Sequence, residues 1–510
     1  MESVIRKVNI YEEASRCLLC QDAPCTKACK TGDPARAIRA IRFDNHKPAL
    51  RWVKDCTDGD LERAEQACIH YNGPIRIKEV VHSIHKDDVA LEWSMVSGQW
   101  SIANGPSLNI AFCGIACENP FFLASSAVCT NYEMVARAFD AGWAGVFYKT
   151  ICMKEIHEVS PRFDAMHNNA THGDFYGFRN MEQLSENSVE TDFDILRRLK
   201  QDYPTKVVVA SIMGQTEDEW IALARMAEEA GCDAVELNFS CPQMKHKGMG
   251  SDVGQSPELV KAFTACVRQN VGIPVIPKMT PNITHIEEPA AACIEAGANA
   301  ISAINTIKSV TMDEDAEVAG RRTVSGYSGR AVRPIALRHV LELAQMVNAQ
   351  SSKVELSGIG GIETWRDALE FIRLGCGNVQ VCTAVMQYGY RIIDDLILGL
   401  QRYMVKRGTS QLQELVGELL PKFLKPDNLD RDTIVYPKFN QDLCVGCGRC
   451  EVSCNDGGHQ AIVFNHETRR PRLVGTKCVG CHLCRLVCPA GAIGTTKRIK
   501  RNTQTVNEQV

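Results

Sequence analysis

The chain has 510 residues, room for two to four domains, and its 45% hydrophobic and 23% charged content is ordinary for a globular protein. A formal net charge of −4 leaves no electrostatic footprint for nucleic acid or an anionic membrane, and no apolar run reaches spanning length. The N-terminus lacks the apolar core of a signal peptide, so a cytoplasmic protein is expected, and 24 cysteines in such a compartment point to metal rather than disulfides.

Residues 1–100 are polar and basic and carry Cys17-x₂-Cys20-x₄-Cys25-x₃-Cys29, a metal-type spacing. Apolar residues recur at helical spacing around Ala35–Ile41 and Leu50–Val53. The stretch reads as a small helical module whose core is too thin without a cofactor, with 86–106 as the linker out of it. Cys17, Cys20 and Cys25 with a remote Cys68 would complete one [4Fe–4S] cluster, and Cys29 with Cys56 would be half of another. Zinc or an empty remnant is the competing reading.

From 107 to 400 strands and helices alternate. Candidate strands are Phe121–Ser125, Gly145–Lys149, Val207–Ile212, Val235–Phe239, Pro274–Met279, Ala300–Ile304, Val354–Ser357 and Val379–Thr383. Segments such as Ala222–Ala230, Pro257–Val267, Pro334–Val347 and Ala368–Leu374 have helical periodicity between them. Eight strands over this length predict a (β/α)₈ TIM barrel in preference to a doubly wound sheet. Polar residues collect at the strand C-terminal ends, where barrel sites are built: Ser125, Lys149-Thr150, Asn238, Lys278, Asn305-Thr306, Gly358–Gly361 and Cys382-Thr383. The long connections 150–187 and 305–331 lie on that rim and would supply further walls. After the fourth strand comes Asn238-Phe239-Ser240-Cys241-Pro242, then a glycine-rich segment from Met244 through Gly248, Gly250 and Gly254. A thiol at a strand end, under a mobile loop, is a candidate for chemistry.

Residues 401–432 read as a linker into 433–510, an α+β ferredoxin-like domain, and the basic run Lys497–Arg501 as a solvated tail. Cys444-x₂-Cys447-x₂-Cys450-x₃-Cys454 and Cys478-x₂-Cys481-x₂-Cys484-x₃-Cys488-Pro489 repeat the bacterial ferredoxin run. Because the fourth cysteine of each run crosses over, the expected sets for two [4Fe–4S] clusters are Cys444, Cys447, Cys450, Cys488 and Cys478, Cys481, Cys484, Cys454. Ser357-Gly358-Ile359-Gly360-Gly361 offers backbone N–H groups for a phosphate, and no strand–GxGxxG–helix unit for a dinucleotide is evident. Clusters pass single electrons, so a barrel fed by them needs a two-electron converter such as FMN.

At Asn238–Pro242, Lys278-Met279-Thr280-Pro281-Asn282, Ala303-Ile304-Asn305-Thr306 and Ser328–Pro334 the chain strongly resembles the dihydropyrimidine dehydrogenase family, over roughly 107–495. The resemblance implies reduction of the 5,6 double bond of uracil or thymine. Cys241 would be the acid that protonates C5 while hydride reaches C6, and Asn180, Asn238, Ser240, Asn305 and Thr306 would hold the pyrimidine. Ser125, Lys149, Thr150, Lys278, Gly329, Gly360, Gly361, Cys382 and Thr383 would hold FMN, with Lys278 near flavin N1. Glu12–Cys20 resembles the iron–sulfur module of the family's electron-input half, but Leu61 and Glu62 stand where the family has further cysteines after the position of Cys56. The family's FAD and NADPH domains are missing. A separate FAD- and NAD(P)H-binding reductase subunit is therefore expected to deliver electrons, in a homodimer or heterotetramer. A dihydroorotate dehydrogenase-like enzyme, and an electron carrier without its own substrate, are the rival readings.

Overall fold

The structure, a computed structural model, describes residues 9–84, 93–96, 99–102, 105–167, 175–242, 248–310 and 323–501. It divides into two compact units, Met1–Leu420 and Pro421–Val510.

The first unit is organised on a closed, all-parallel eight-stranded barrel. Its strands are β1 (Phe121–Leu123), β2 (Gly145–Phe147), β3 (Val207–Ile212), β4 (Ala234–Asn238), β5 (Val275–Lys278), β6 (Ala300–Ala303), β7 (Glu355–Ile359) and β8 (Cys376–Val381), hydrogen-bonded in that order with β8 closing on β1. Each falls on a strand expected from the sequence. Strand β3 is buried along its whole length, which is why these strands read as apolar runs rather than as an alternation. The intervening helices start where side chains cap them: Ser188 accepts from the Thr191 N–H, Thr216 from Glu219 and Ser256 from Leu259. At the N-terminal end of the barrel lies the hairpin Ile110–Phe112/Ile115–Cys117, whose Cys113 N–H donates to the Glu355 carboxylate at the start of β7, 2.9 Å.

At the opposite rim, the two long connections build a four-stranded antiparallel sheet in the order Ile307–Ser309, Ser325–Ser328, Phe175–Asn180, Phe163–His167. Residues expected to be linker also finish the barrel. Its last helix runs Ile392–Arg407, and Leu412 and Leu415 are buried in the barrel's core, so the unit ends at Leu420 rather than near 400. Trp93–Val96 pairs with Gln99–Ile102 inside the stretch read as the first linker.

The N-terminal module is helical, as its periodicity requires. Helix Pro34–Arg42 has proline at its first position and Asp33 accepting from the Arg36 N–H, and it buries Ala37, Ile38 and Ile41. Helix Asp58–Gln66 opens with a Thr57/Asp60 capping box. The module is pinned to the last barrel helix by Arg36–Asp394 (2.8 Å) and Arg39–Asp395 (2.9 Å), a nearly buried pair of carboxylates that burial raises above the usual range.

The second unit pairs short strands around two helices, Arg449–Gly457 and Leu483–Leu486. Hairpin Ile462–Asn465/Arg470–Leu473 joins the ladders Pro437–Phe439/Ile493–Thr495 and Thr433–Ile434/Ile499–Lys500. No helix among the described residues is long and apolar enough to cross a membrane.

Candidate active site and cluster pockets

The C-terminal ends of the barrel strands and the overlying sheet enclose a cavity of about 1110 Å³, measured out to its open mouth. The thiol, the amides and the expected flavin ligands meet there. Cys241, Asn180, Asn238, Asn305 and Thr306 line it, as do Ser125, Lys149, Thr150, Lys278, Gly329, Gly360, Gly361, Cys382 and Thr383. Ser240 stands directly behind this lining, donating to Asn238 Oδ1 (2.7 Å) and accepting from Asn305 Nδ2 (2.9 Å). Of the glycine-rich loop expected to cover the thiol, residues 243–247, including Met244, lie outside the described residues. The chain re-emerges at Gly248, and the Ser251 N–H donates back to the Cys241 carbonyl, 2.9 Å.

Strand register explains the convergence. Asn238 is the β4 neighbour of Lys278 on β5, and Lys278 is the neighbour of Ser302 on β6, so the polar strand ends lie side by side. Both carboxamides are fixed by backbone donors: the Ser240 N–H donates to Asn238 Oδ1 (3.1 Å) and the Thr306 N–H to Asn305 Oδ1 (2.7 Å). Asn180 comes from the overlying sheet, where it accepts from the Glu182 N–H, 2.7 Å.

The donor set fits a flavin phosphate and ring. Gly360 and Gly361 have φ of +133° and +70°, and a Cβ at Gly361 would meet the Gly329 carbonyl at 2.8 Å, so only glycines can form this arc at the ends of β7 and the Gly329 turn. Gln380 at the floor is buried and its Oε1 has no hydrogen-bond partner among the described residues, leaving an acceptor for a ring N–H. The Cys382 thiol is pushed up by burial, which keeps it neutral.

Sequence reading missed Glu182. Its carboxylate, almost buried, pairs with the equally buried Lys149 Nζ at 3.1 Å and faces the cavity two residues beyond Asn180. It also missed the aromatic walls Phe163, Phe178 and Tyr327, which the overlying sheet contributes.

The cysteines gather in three further cavities. Cys454, Cys478, Cys481 and Cys484 line one of about 330 Å³, and Cys444, Cys447, Cys450 and Cys488 another of about 360 Å³. These are the two crossed sets. Backbone N–H groups point at matching sulfurs in both halves: Gly446 to Cys444 (3.4 Å), Gly480 to Cys478 (3.4 Å), Ala461 to Cys454 (3.3 Å) and Ala492 to Cys488 (3.3 Å). Burial pushes the free Cys484 thiol up to about 11, a cost that ligation relieves. Cys17, Cys20, Cys25 and Cys68 line a cavity of about 420 Å³ in the N-terminal module, whereas Cys29 Sγ lies 3.4 Å from Cys56 Sγ outside that lining. Among the described residues no three such side chains converge tightly enough for one metal ion. The Cys-x₂-Cys-x₂-Cys-x₃-Cys spacing behind the two C-terminal cavities suits polynuclear iron–sulfur clusters.

Comparison with known proteins agrees with this division. The dihydroorotate dehydrogenase family matches residues 107–404, and the 4Fe-4S dicluster domain matches 438–495. The NAD-dependent dihydropyrimidine dehydrogenase subunit PreA of Escherichia coli (strain K12) is 50% identical over 392 residues, covering 76% of this chain and 94% of that protein. Chloroplastic dihydropyrimidine dehydrogenase (NADP(+)) of Arabidopsis thaliana is 39% identical over 332 residues, 62% of this chain and 78% of that one. The catalytic subunit of dihydroorotate dehydrogenase B (NAD(+)) from Pyrococcus abyssi is 36% identical over 316 residues, 61% of this chain and 98% of that one. The crystal structure of the dihydroorotate dehydrogenase of Eimeria tenella in complex with ferulenol shares the fold, with a TM-score of 0.51 at 18% identity over 62% of this chain and 89% of that chain.

Proposed function

This chain belongs to the dihydroorotate dehydrogenase family, and we propose that within it the chain is an oxidoreductase that reduces the 5,6 double bond of uracil or thymine, reversibly. One observation carries the reading: Cys241 shares a cavity with Asn180, Asn238, Asn305, a glycine arc and Lys278. Carboxamides offer both donors and acceptors, the complement of the alternating N–H and C=O groups of a pyrimidine edge, and a buried unpaired amide penalises a ligand that lacks them.

FMN, held by Ser125, Lys149, Thr150, Lys278, Gly329, Gly360, Gly361, Cys382 and Thr383, would supply the hydride that reaches C6. Cys241 supplies the proton at C5. An ordinary thiol, with a pKa of about 8.5, is largely protonated at neutral pH and suits the role of acid. Asn238, Ser240, Asn305, Thr306 and Asn180 hold the ring so that C5 faces Cys241. Glu182 and Lys149 neutralise one another at the cavity wall and offer it a fixed dipole. The two cysteine sets of 433–510, and Cys17, Cys20, Cys25 and Cys68, would hold the [4Fe–4S] clusters that carry electrons from an NAD(P)H-oxidising flavoprotein.

Anaerobic purification with iron, sulfide and flavin counts, followed by uracil, thymine and dihydroorotate assays with an artificial electron carrier, tests this. One FMN, at least two [4Fe–4S] clusters and pyrimidine turnover are expected, with no useful NADH or NADPH oxidation by the chain alone. Turnover of dihydroorotate without pyrimidines replaces the substrate. Flavin and iron with no turnover of any of the three makes the chain a carrier.

A further inference from the structure

Barrel interiors are normally filled with branched apolar side chains. Here a fully buried carboxylate, Glu236, sits in the middle of β4, directly beside Ser211 on β3, with no solvent exposure at either residue. Its Oε1 accepts from Ser211 Oγ at 2.9 Å and lies 3.5 Å from Lys278 Nζ, while Oε2 has no hydrogen-bond partner among the described residues. Glu236 does not line the cavity; Lys278 does. We propose that Glu236 is a positioning residue for the reaction, acting through two neighbours: it holds Lys278 against the flavin site and it sets the direction of a hydrogen-bond chain that ends on the pyrimidine amides. The inference rests on the flavin and pyrimidine reading above.

Donor counting carries the argument. Ser211 Oγ donates to Glu236 Oε1, so its single hydroxyl proton is committed there. In the 3.0 Å contact between Thr150 Oγ1 and Ser211 Oγ, Thr150 must then be the donor. Thr150 has no second proton, so Ser125 donates to it across their 3.0 Å contact. Its other lone pair takes the Asn238 Nδ2 donor at 2.9 Å, which saturates the hydroxyl. Asn238 Oδ1 accepts from Ser240 Oγ, and Ser240 Oγ accepts from Asn305 Nδ2. Every link thus points one way, from the amides to Glu236, with backbone N–H groups fixing the amides at the far end. Among the described residues the hydroxyls in the middle have no such anchor except the carboxylate.

Two variants separate the two roles in the full-length holoprotein, with uracil as probe and a reduced viologen as donor. Glu236→Gln keeps an oxygen for Ser211 and removes the charge. The flavin midpoint potential, read by potentiometric titration, should move to a more positive value, because Lys278 then acts without its counter-ion, while KM for uracil stays near wild type. Ser211→Ala keeps the charge and cuts the chain. KM for uracil should rise roughly two- to ten-fold, the range for one hydrogen bond, with the potential unmoved. A Glu236→Gln potential equal to wild type, a Ser211→Ala KM equal to wild type, or both readouts moving together in both variants overturns the proposal. A wild-type chain that binds no flavin overturns this inference and the proposed function together. A wild-type chain that reduces uracil but whose variants match it overturns the inference alone.

Discussion

The barrel and the 421–510 unit solve the same problem, holding a redox group, in opposite ways. The barrel buries a continuous core, including Phe121, Phe122, Trp143, Phe147, Trp220 and Phe371, and its site side chains are already bonded to one another. In the smaller unit the buried apolar cluster is Cys450, Cys454, Ala461, Ile462, Cys484 and Ile493, so half of its core is cysteine. A barrel of this kind folds first and receives its ligand afterwards, whereas the smaller unit has little to fold around until its clusters arrive.

The largest effect should therefore come from removing iron. Anaerobic chelation, or Cys478→Ser, should cost the amides of 433–500 their hydrogen-exchange protection by orders of magnitude, while strands β1 to β8 keep theirs. Persisting protection in the smaller unit would mean that its core stands alone; loss in the barrel would mean that the two units are not independent in stability.

Next in size is a change that leaves folding untouched in both regions. Cys241 belongs to no cluster set and is buried at the end of β4. Cys241→Ala should lower pyrimidine turnover roughly 10²–10⁴-fold, the usual range for a positioned acid, with flavin content, iron content and pyrimidine binding retained. Flavin lost together with activity would make Cys241 structural, and full turnover would put the acid elsewhere.

The same contrast decides what could be read from the sequence. The cysteines of each run lie close together in the chain, so the two ferredoxin runs were legible from spacing alone, and the structure groups these cysteines around two cavities, each lined by the first three of one run and the fourth of the other. The barrel was legible because its strands are buried on both faces and end in polar residues. Glu182 and Glu236 were not. Glu236 sits inside the apolar run Ala234–Leu237, where one charge looks like noise, yet a lone carboxylate inside a strand buried on both sides has nowhere to go but a buried partner. That was the available signal. Glu182 lies two residues past a strand, Phe175–Asn180, whose register depends on a partner strand almost 150 residues away, from 325 to 328, and no local pattern encodes that. Beyond the end of helix Ile392–Arg407, residues 408–420 read as linker because 3₁₀ turns lack the 3.6-residue period, although Leu412 and Leu415 are fully buried.

A smaller effect tests the claim that the barrel's cavity exists before its ligand. Gly361→Ala places a Cβ against Gly329 O and Arg333 at a position with φ +70°. The strain, about 1–3 kcal/mol, falls on the flavin arc rather than on the core. The flavin dissociation constant should rise roughly ten- to a hundred-fold with the barrel's melting temperature lowered only slightly. A variant that fails to fold would show that the arc is part of the barrel's stability, which would blur the contrast with the cluster unit.

The smallest effect asks whether the barrel's stability is its own in a second sense, through protons rather than iron. His339, on the barrel helix Arg333–Ala349, is buried, and Nδ1 has no hydrogen-bond partner among the described residues. Burial, helped by the charge of Arg338, lowers its pKa from 6.5 to about 4. The unfolded chain therefore binds the extra proton first. Stability from this group is fully present above pH 6.5 and declines as the pH falls toward 4. Between pH 7 and pH 5 the loss should be about 2 kcal/mol, or a few degrees in the barrel's melting temperature. His339→Gln, which cannot titrate, should remove that slope. The measurement belongs on cluster-depleted protein, where the remaining transition reports the barrel without acid loss of iron. If wild type and His339→Gln melt in parallel from pH 7 to pH 5, the histidine is not held neutral, and the barrel's acid sensitivity lies with its carboxylates.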